Sequence, residues 1–314
     1  MMAATIKRSH RPELNKATSI THEHLLAIIT TECKSRKLSQ ILRVLDVGCG
    51  NGLLIAYLHE LLPRLNPGTR FEIFGLDVVD HGVQASGYFG RTVEMLTSRF
   101  PDVDWLDRLT LTCVDCDWPY DNGFFDVIVS NQVCEHVSDH DHFFAQIRRT
   151  LRTGGFSVHL FPLVNCLWEG HLELPFVHWI RHWDLLNAYI KLLSRLGLGA
   201  FRTHRRLFGS SLDDYARRHA DYVHYCTNYI SYGQALRLAK RTRMRASFRY
   251  TQEFYRRRLR SLLGMTPEFE YRAERSAAAD WCSSFFLKYV SSITLFLEKL
   301  ETYAQAADGR PLSS

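Results

Sequence analysis

From residue 41 the chain alternates short apolar runs with longer stretches in which apolar positions recur every three or four residues. "ILRVLDV" (41–47) reads as a buried strand ending in Gly-Cys-Gly. "GLLIAYLHELL" (52–62) has helical spacing and is expected to stop at Pro63. "FEIFGLDV" (71–78) is a second strand, "RLTLTCV" (108–114) a third and "FFDVIVSN" (124–131) a fourth. Between them "GYFGRTVEMLTSRF" (87–100) predicts a helix ending before Pro101. Ser138 followed by Asp141 has the look of a cap for the helix "DHDHFFAQIRRTLR" (139–152). Gly154 and Gly155 then turn the chain into a fifth strand, "FSVHLFP" (156–162). Strands separated by helices of this length predict βαβ units, hence an α/β fold with a mostly parallel, Rossmann-like sheet of seven strands and helices on both faces.

The rhythm breaks after Pro162. Residues 163–226 show no convincing strand and hold one amphipathic helix, "HWDLLNAYIKLLSRLG" (182–197). The pattern resumes with a helix over 231–244, a strand over 245–251 and a helix over 253–264. Residues 291–300 fit a strand or a helix, and periodicity does not choose. The expected organisation is an N-terminal helical segment (1–40), a core (41–162), a helical insertion after the fifth strand (163–226), the rest of the core (227–300) and a flexible tail (301–314).

Composition narrows the class. The 314 residues are 46% hydrophobic, ample for a buried core. The start, "MMAATIKRSHRPELNK", has no apolar stretch of signal-peptide type, and no uncharged apolar run is long enough for a membrane span. The nearest, residues 281–297, is interrupted by Lys288 and four serines. Eight cysteines are too sparse for a disulfide scaffold and suggest a reducing, cytoplasmic setting. Cys113 and Cys116 form a lone C-x-x-C, short of the four ligands of a structural zinc. The net charge of +6 is uneven: residues 201–260 hold fifteen Lys and Arg against four Asp and Glu. That block fits an anionic membrane surface, which would make the protein peripheral, or an anionic substrate; a solvated helical face explains it equally well. Nucleic acid ranks lower, because no dedicated RNA module is present.

"VLDVGCGNG" (44–52) carries the most chemistry. A strand runs into Gly-x-Gly-x-Gly and a helix, so a ligand can approach bare backbone and unpaired N–H groups. In the dinucleotide loop the third glycine falls one residue later, where this chain has Leu53. Asp46 would repel a pyrophosphate and suits a positively charged ligand. Asp77 closes the second strand, where an acid bonds ribose hydroxyls. Asp115 follows the third, within reach of an adenine amino group. Three acids at three strand ends suit a ligand with an amine, a ribose and a base, and no phosphate.

The stretch resembles motif I of the class I S-adenosylmethionine-dependent methyltransferases of type 11/12-like kind. "GLDVVD", "CVDCDWPYDNGFFDVIVSNQVCEHV" (113–137) and "FFAQIRRTLRTGGFSVHLFP" (143–162) are similar to their following segments, in order. The likeness covers about residues 41–162. It implies S-adenosyl-L-methionine as cofactor and methyl transfer as activity. It also implies that Asp46 and Gly48 lie near the methionine moiety, with Gly50 beside the ligand. Asp77 would take the ribose, with Val78 among the contacts, Asp115 and Cys116 the adenine, and Asn131 the methionine end. Asn51 departs from the family's usual small or hydroxyl residue, which a helix N-terminus tolerates.

Methyl transfer from a sulfonium is an in-line displacement, so the protein must align an acceptor and exclude water. An O–H or N–H acceptor also needs a base. His136, just after the fourth strand, is one candidate. "WEGHLELPFVHW" (168–179) offers His171 and His178, with Glu169 and Glu173 to orient an imidazole. No metal is expected there, since the spacing is not H-x-x-x-H and Pro175 disturbs it; the segment reads as an acceptor-binding group or as a polar lid. Its surroundings loosely resemble bacterial methyltransferases of glycans and secondary metabolites. The acceptor is expected to be a small molecule, a sugar or a lipid-linked compound. A non-catalytic scaffold, or an enzyme acting on nucleic acid or protein, is the alternative.

Overall fold

The computed structural model describes residues 19–36, 40–78, 87–170, 172–272 and 276–300. Helix α1 (Ile20–Ser35) precedes strand β1 (Ile41–Val47). There follow α2 (Leu53–Leu65), β2 (Arg70–Val78), α3 (Tyr88–Arg99), β3 (Leu109–Thr112), β4 (Phe125–Asn131), α4 (His140–Thr150) and β5 (Leu151–Pro162). A two-rung hairpin, β6 (Trp168–Glu169) with β7 (Leu174–Pro175), leads into α5 (Trp183–Arg195), α6 (Phe201–Phe208) and α7 (Leu212–Tyr225). The chain closes through α8 (Tyr232–Arg241), β8 (Arg245–Ser247), α9 (Thr251–Leu262), α10 (Ala277–Leu287) and β9 (Ser292–Glu298).

Seven strands form one sheet in the order β3-β2-β1-β4-β5-β9-β8. The five on the β3 side run parallel, and β9 runs antiparallel to both β5 and β8. Alternation within the strands builds two cores. Leu42, Val44, Val158, Leu160 and Phe296 face α1, α2 and α9, while Leu45, Val47, Phe161, Leu295 and Leu297 face α4 and α8. A third cluster, with Leu186, Ile190, Tyr215 and Val223, lies inside the 163–226 segment and ties α5 to α7. The order of the sheet reverses between β1 and β4, and there the carboxyl ends of the strands open a crevice.

Several sequence expectations shift. Pro63 lies inside α2 rather than ending it, because a proline near the C-terminal turn forfeits a single bond; the helix closes where Asn66 N–H donates to Leu62 O. The cap of α4 is Asp139, whose side chain accepts from His142 N–H, not Ser138. β5 starts at Leu151, and a register shift between Phe125 and Val127 accommodates the Gly154-Gly155 pair. β8 is short, since Tyr250 adopts φ 72° and opens α9. Residues 292–298 are a strand. Residues 281–297 divide between α10 and β9, and among the described residues no helix is long and apolar enough to cross a membrane. The expected tail, 301–314, lies outside the described residues.

Candidate functional site

A cavity of about 490 Å³ opens at the switch point, within the range of small-molecule sites. Val47 at the end of β1, Gly48 from the glycine loop, Leu76 to Val78 from the end of β2, and Thr112 to Val114 from the end of β3 onward form one side. Gln132 to Val133 and His136 to Asp139, from the loop between β4 and α4, form the floor. His204, Arg218, His219 and Tyr222 close it from α6 and α7.

The glycine loop is held by its own acid. Asp77 Oδ2 accepts the Gly50 N–H at 2.7 Å and Oδ1 accepts the Val78 N–H at 2.8 Å. An ionised carboxylate has about four lone-pair sites, so Asp77 can brace the loop and also bond a diol. Gly48 turns at φ 70°, and a Cβ there would come within 2.4 Å of Val133 Cγ2. Only a bare backbone lets the loop lie against the β4–α4 segment and leave the cavity open. A carboxylate, a bare backbone turn and apolar walls (Val47, Leu76, Val78, Val133) are the donor set a nucleoside with a charged tail requires, so S-adenosylmethionine fits these residues.

The segment after β4 brings a histidine to the cavity. A 3₁₀ turn over Cys134–His136 places His136 on the cavity wall. Its Nδ1–H donates to Cys226 O at 2.6 Å, which leaves Nε2 to accept from the Tyr222 hydroxyl at 3.1 Å. Tyr222 comes from α7, which Ser211 caps by accepting from Asp214 N–H. The end of α7 is anchored at the site: Asn228 N–H donates to Glu135 O at 2.6 Å, and Asn228 Nδ2 to Val137 O and Ser138 O. Burial pushes the Tyr222 phenol up, and the charges of Glu135 and Glu169 push it further. On α7, residues 215, 218, 219 and 222 share one stripe, so Arg218 and His219 reach the same cavity one turn earlier.

Of the residues singled out by sequence, Gly48, Asp77, Val78 and His136 line this cavity. Asp46 and Gly50 stand behind the loop. Asp46 is 2% exposed, and burial, then the Asp77 charge, raise its carboxyl well above the ordinary range. Asn131 ends β4 beside the cavity without lining it. Asp115 is exposed and outside the lining. Cys116 is bonded to Cys113 in a disulfide, and Cys113 is the one that lines the cavity. This corrects the expectation of reduced cysteines throughout: a spacing of three brings the two Cα atoms to 5.2 Å, within bridging reach. His142 Nε2 is 3.1 Å from Cys116 O and ties this loop to α4. His178 is not in the cavity. It lies 3.5 Å from Cys166 Sγ and against the Tyr229 ring, where burial lowers its pKa. His171 lies outside the described residues. Among the described residues no group of three or more His, Cys, Asp or Glu could hold a metal ion. Sequence reasoning missed Tyr222, Arg218, His219 and His204.

The profile of a family described as "Methyltransferase domain" matches residues 11–218, more than half of the chain. A curated relative, the 27-O-demethylrifamycin SV methyltransferase of Amycolatopsis mediterranei (strain S699), is 31% identical over 114 residues. That match spans 36% of this chain and 36% of the relative, about a third of its length. Among solved structures, the [4+2]-cyclase SpnF is 14% identical with a TM-score of 0.46, covering 93% of this chain and 86% of that one. A geranyl diphosphate C-methyltransferase from Streptomyces coelicolor A3(2) is 12% identical with a TM-score of 0.41, covering 88% and 78%. With the profile matched across the glycine loop, the β2 acid and the β4 segment, the chain belongs to the class I S-adenosylmethionine-dependent methyltransferases.

Proposed function

We propose that the protein methylates a hydroxyl oxygen of a small molecule seated in the cavity, with His136 taking the acceptor's proton through Tyr222. Gly48, Asp77 and Val78 hold the donor, with Asp77 on its ribose. S-adenosylmethionine, when bound, supplies an electrophilic methyl group on a sulfonium. The chain's own residues then have two tasks, to orient the acceptor and to remove its proton.

One observation carries this reading, the fixed tautomer of His136. Because Nδ1–H is committed to Cys226 O, the Nε2 lone pair faces Tyr222. An acceptor hydroxyl that donates to the Tyr222 oxygen completes a path along which Tyr222 passes its own proton to His136. The raised pKa of Tyr222 keeps it protonated and therefore a conduit rather than an anion. The apolar walls, with Trp118 and Phe143, suit an acceptor built on an apolar ring or chain. The Amycolatopsis relative, named for an O-demethyl substrate, supports oxygen over nitrogen.

The test is turnover of labelled methyl donor against a panel of hydroxylated aromatic and macrocyclic compounds. His136→Ala should lower kcat by about 10²–10⁴-fold, in line with loss of a general base. Tyr222→Phe should lower it comparably, and product affinity should change little in either. Turnover like wild type in both variants would remove the relay. A wild type that binds neither donor nor product would remove the donor site itself.

A further inference from the structure

We propose that the insertion side of the cavity is an oxyanion-binding subsite made by Arg218 with the His204 and His219 imidazoles, so that the acceptor is a hydroxylated carboxylate or phosphate monoester. The proposal rests on the cavity being the acceptor site.

Arg218 is the only lysine or arginine among the described residues that line the cavity. Its recorded bonds go to neutral oxygens: Nε donates to Asp214 O at 3.3 Å and Nη2 to Ser210 Oγ at 2.7 Å. No carboxylate pairs with it among the described residues. The acids of α7 are engaged elsewhere. Asp213 pairs with Lys191 at 2.8 Å, Asp214 with Arg217 at 3.2 Å, and Asp221 accepts from Trp183 Nε1 at 2.8 Å. The two carboxylates that line the cavity among the described residues sit with other elements: Asp77 at the end of β2, and Asp139 capping α4. Among the lining residues the carboxylates thus lie toward β2 and α4 and the guanidinium toward α7, with Glu135 and Glu169 acting on α7 from outside the lining.

The imidazoles fit the same ligand. His219 Nδ1–H donates to Tyr215 O at 2.7 Å, which fixes its ring against α7, so its Nε2 donates to an oxyanion once it takes up a proton. His204 Nδ1 is buried without a hydrogen-bond partner, and its ring lies 5.7 Å from that of His219. Burial lowers the pKa of both and Arg218 lowers them further, while for His219 the Tyr215 carbonyl and the Glu169 charge act the other way. An oxyanion would satisfy the guanidinium by charge-assisted hydrogen bonds, with the His204 Nε2–H, on the ring that lines the cavity, as the imidazole donor. Arg218 and Tyr222 are four residues apart on one helix, about 6 Å of rise. Probes with a hydroxyl and an anion at opposite ends of a benzene ring match that rise.

The probes are 4-hydroxybenzoate, 4-hydroxyphenyl phosphate and the neutral 4-hydroxybenzyl alcohol. Binding is read by ligand-observed NMR, with and without demethylated cofactor. One or both anions should bind roughly tenfold more tightly than the alcohol, as expected for a charge-assisted contact. Arg218→Gln should erase that preference and Arg218→Lys should keep part of it. Arg218 is exposed, so circular dichroism should show both variants folded. Preference for only one anion identifies the carboxylate or the phosphate as the natural group. Equal binding of all three probes, no binding of either anion, or a preference that survives Arg218→Gln overturns the proposal. Failure of wild type to bind demethylated cofactor would sink the donor reading instead, because the anion preference is also measured in its absence.

Discussion

Gly48 and Val133 are in contact because one of them has no side chain. Gly48→Ala would put a methyl group into Val133 at a backbone angle that L-residues resist by about 1–2 kcal/mol. The variant should melt at a lower temperature and bind demethylated cofactor more weakly. Adding Val133→Ala should recover part of the binding but not the backbone cost; a double variant no better than the single one would show that the contact is not what matters. Gly48, Asp77 and Val78 were legible in the sequence because each sits within a residue of a strand end, and His136 because it follows β4 by five residues; strand ends converge in this fold. Asp115 and Cys116 follow a strand end too, yet they turn outward, because Cys113 and Cys116 close a small ring on themselves. Tyr222, Arg218 and His219 carried no local signal. They lie about 170 residues from the glycine loop, on a helix whose stripe looks like any amphipathic one.

At the scale of the element, the strongly periodic pieces were legible and their ends less so. α4 separates two adjacent capping candidates. Asp139→Ala should cost about 1 kcal/mol in chemical denaturation, whereas Ser138→Ala should cost almost nothing. The reverse order would return the cap to Ser138. β9 defied periodicity for a physical reason: every residue from Ser292 to Glu298 is buried, so no polar face marks its period of two. The β6–β7 hairpin is two rungs long and leaves no alternation to read. α6 and α7 were hidden in a mixed Arg, His and Tyr stretch, since α6 gives the third cluster Phe201 alone and the buried residues of α7 include two alanines, which mark a periodic face weakly.

Across the whole molecule, the basic block spends much of its charge internally. Arg245 and Arg249 pair with Glu298 and Glu32, Arg257 with Glu23, and Arg260 with Glu268. Glu298 alone gathers Arg36 from the end of α1 and Arg245 from β8, which joins both ends of the described chain to the sheet. Removing residues 291–314 should therefore unfold the protein rather than trim it; a soluble, cooperatively melting truncation would contradict this.

The position of β9 between β5 and β8 has a consequence for how the chain is born. While a ribosome is making residues 163–291, the completed β5 has no neighbour on its outer side, and β8 has nothing to pair with. The nascent protein thus carries an open, apolar strand edge through almost half of its synthesis, the kind of surface that recruits strands from other chains. Holding that edge unoccupied until the last strand emerges is a task for chaperones, and yield at high expression should depend on them more than the stability of the finished fold suggests.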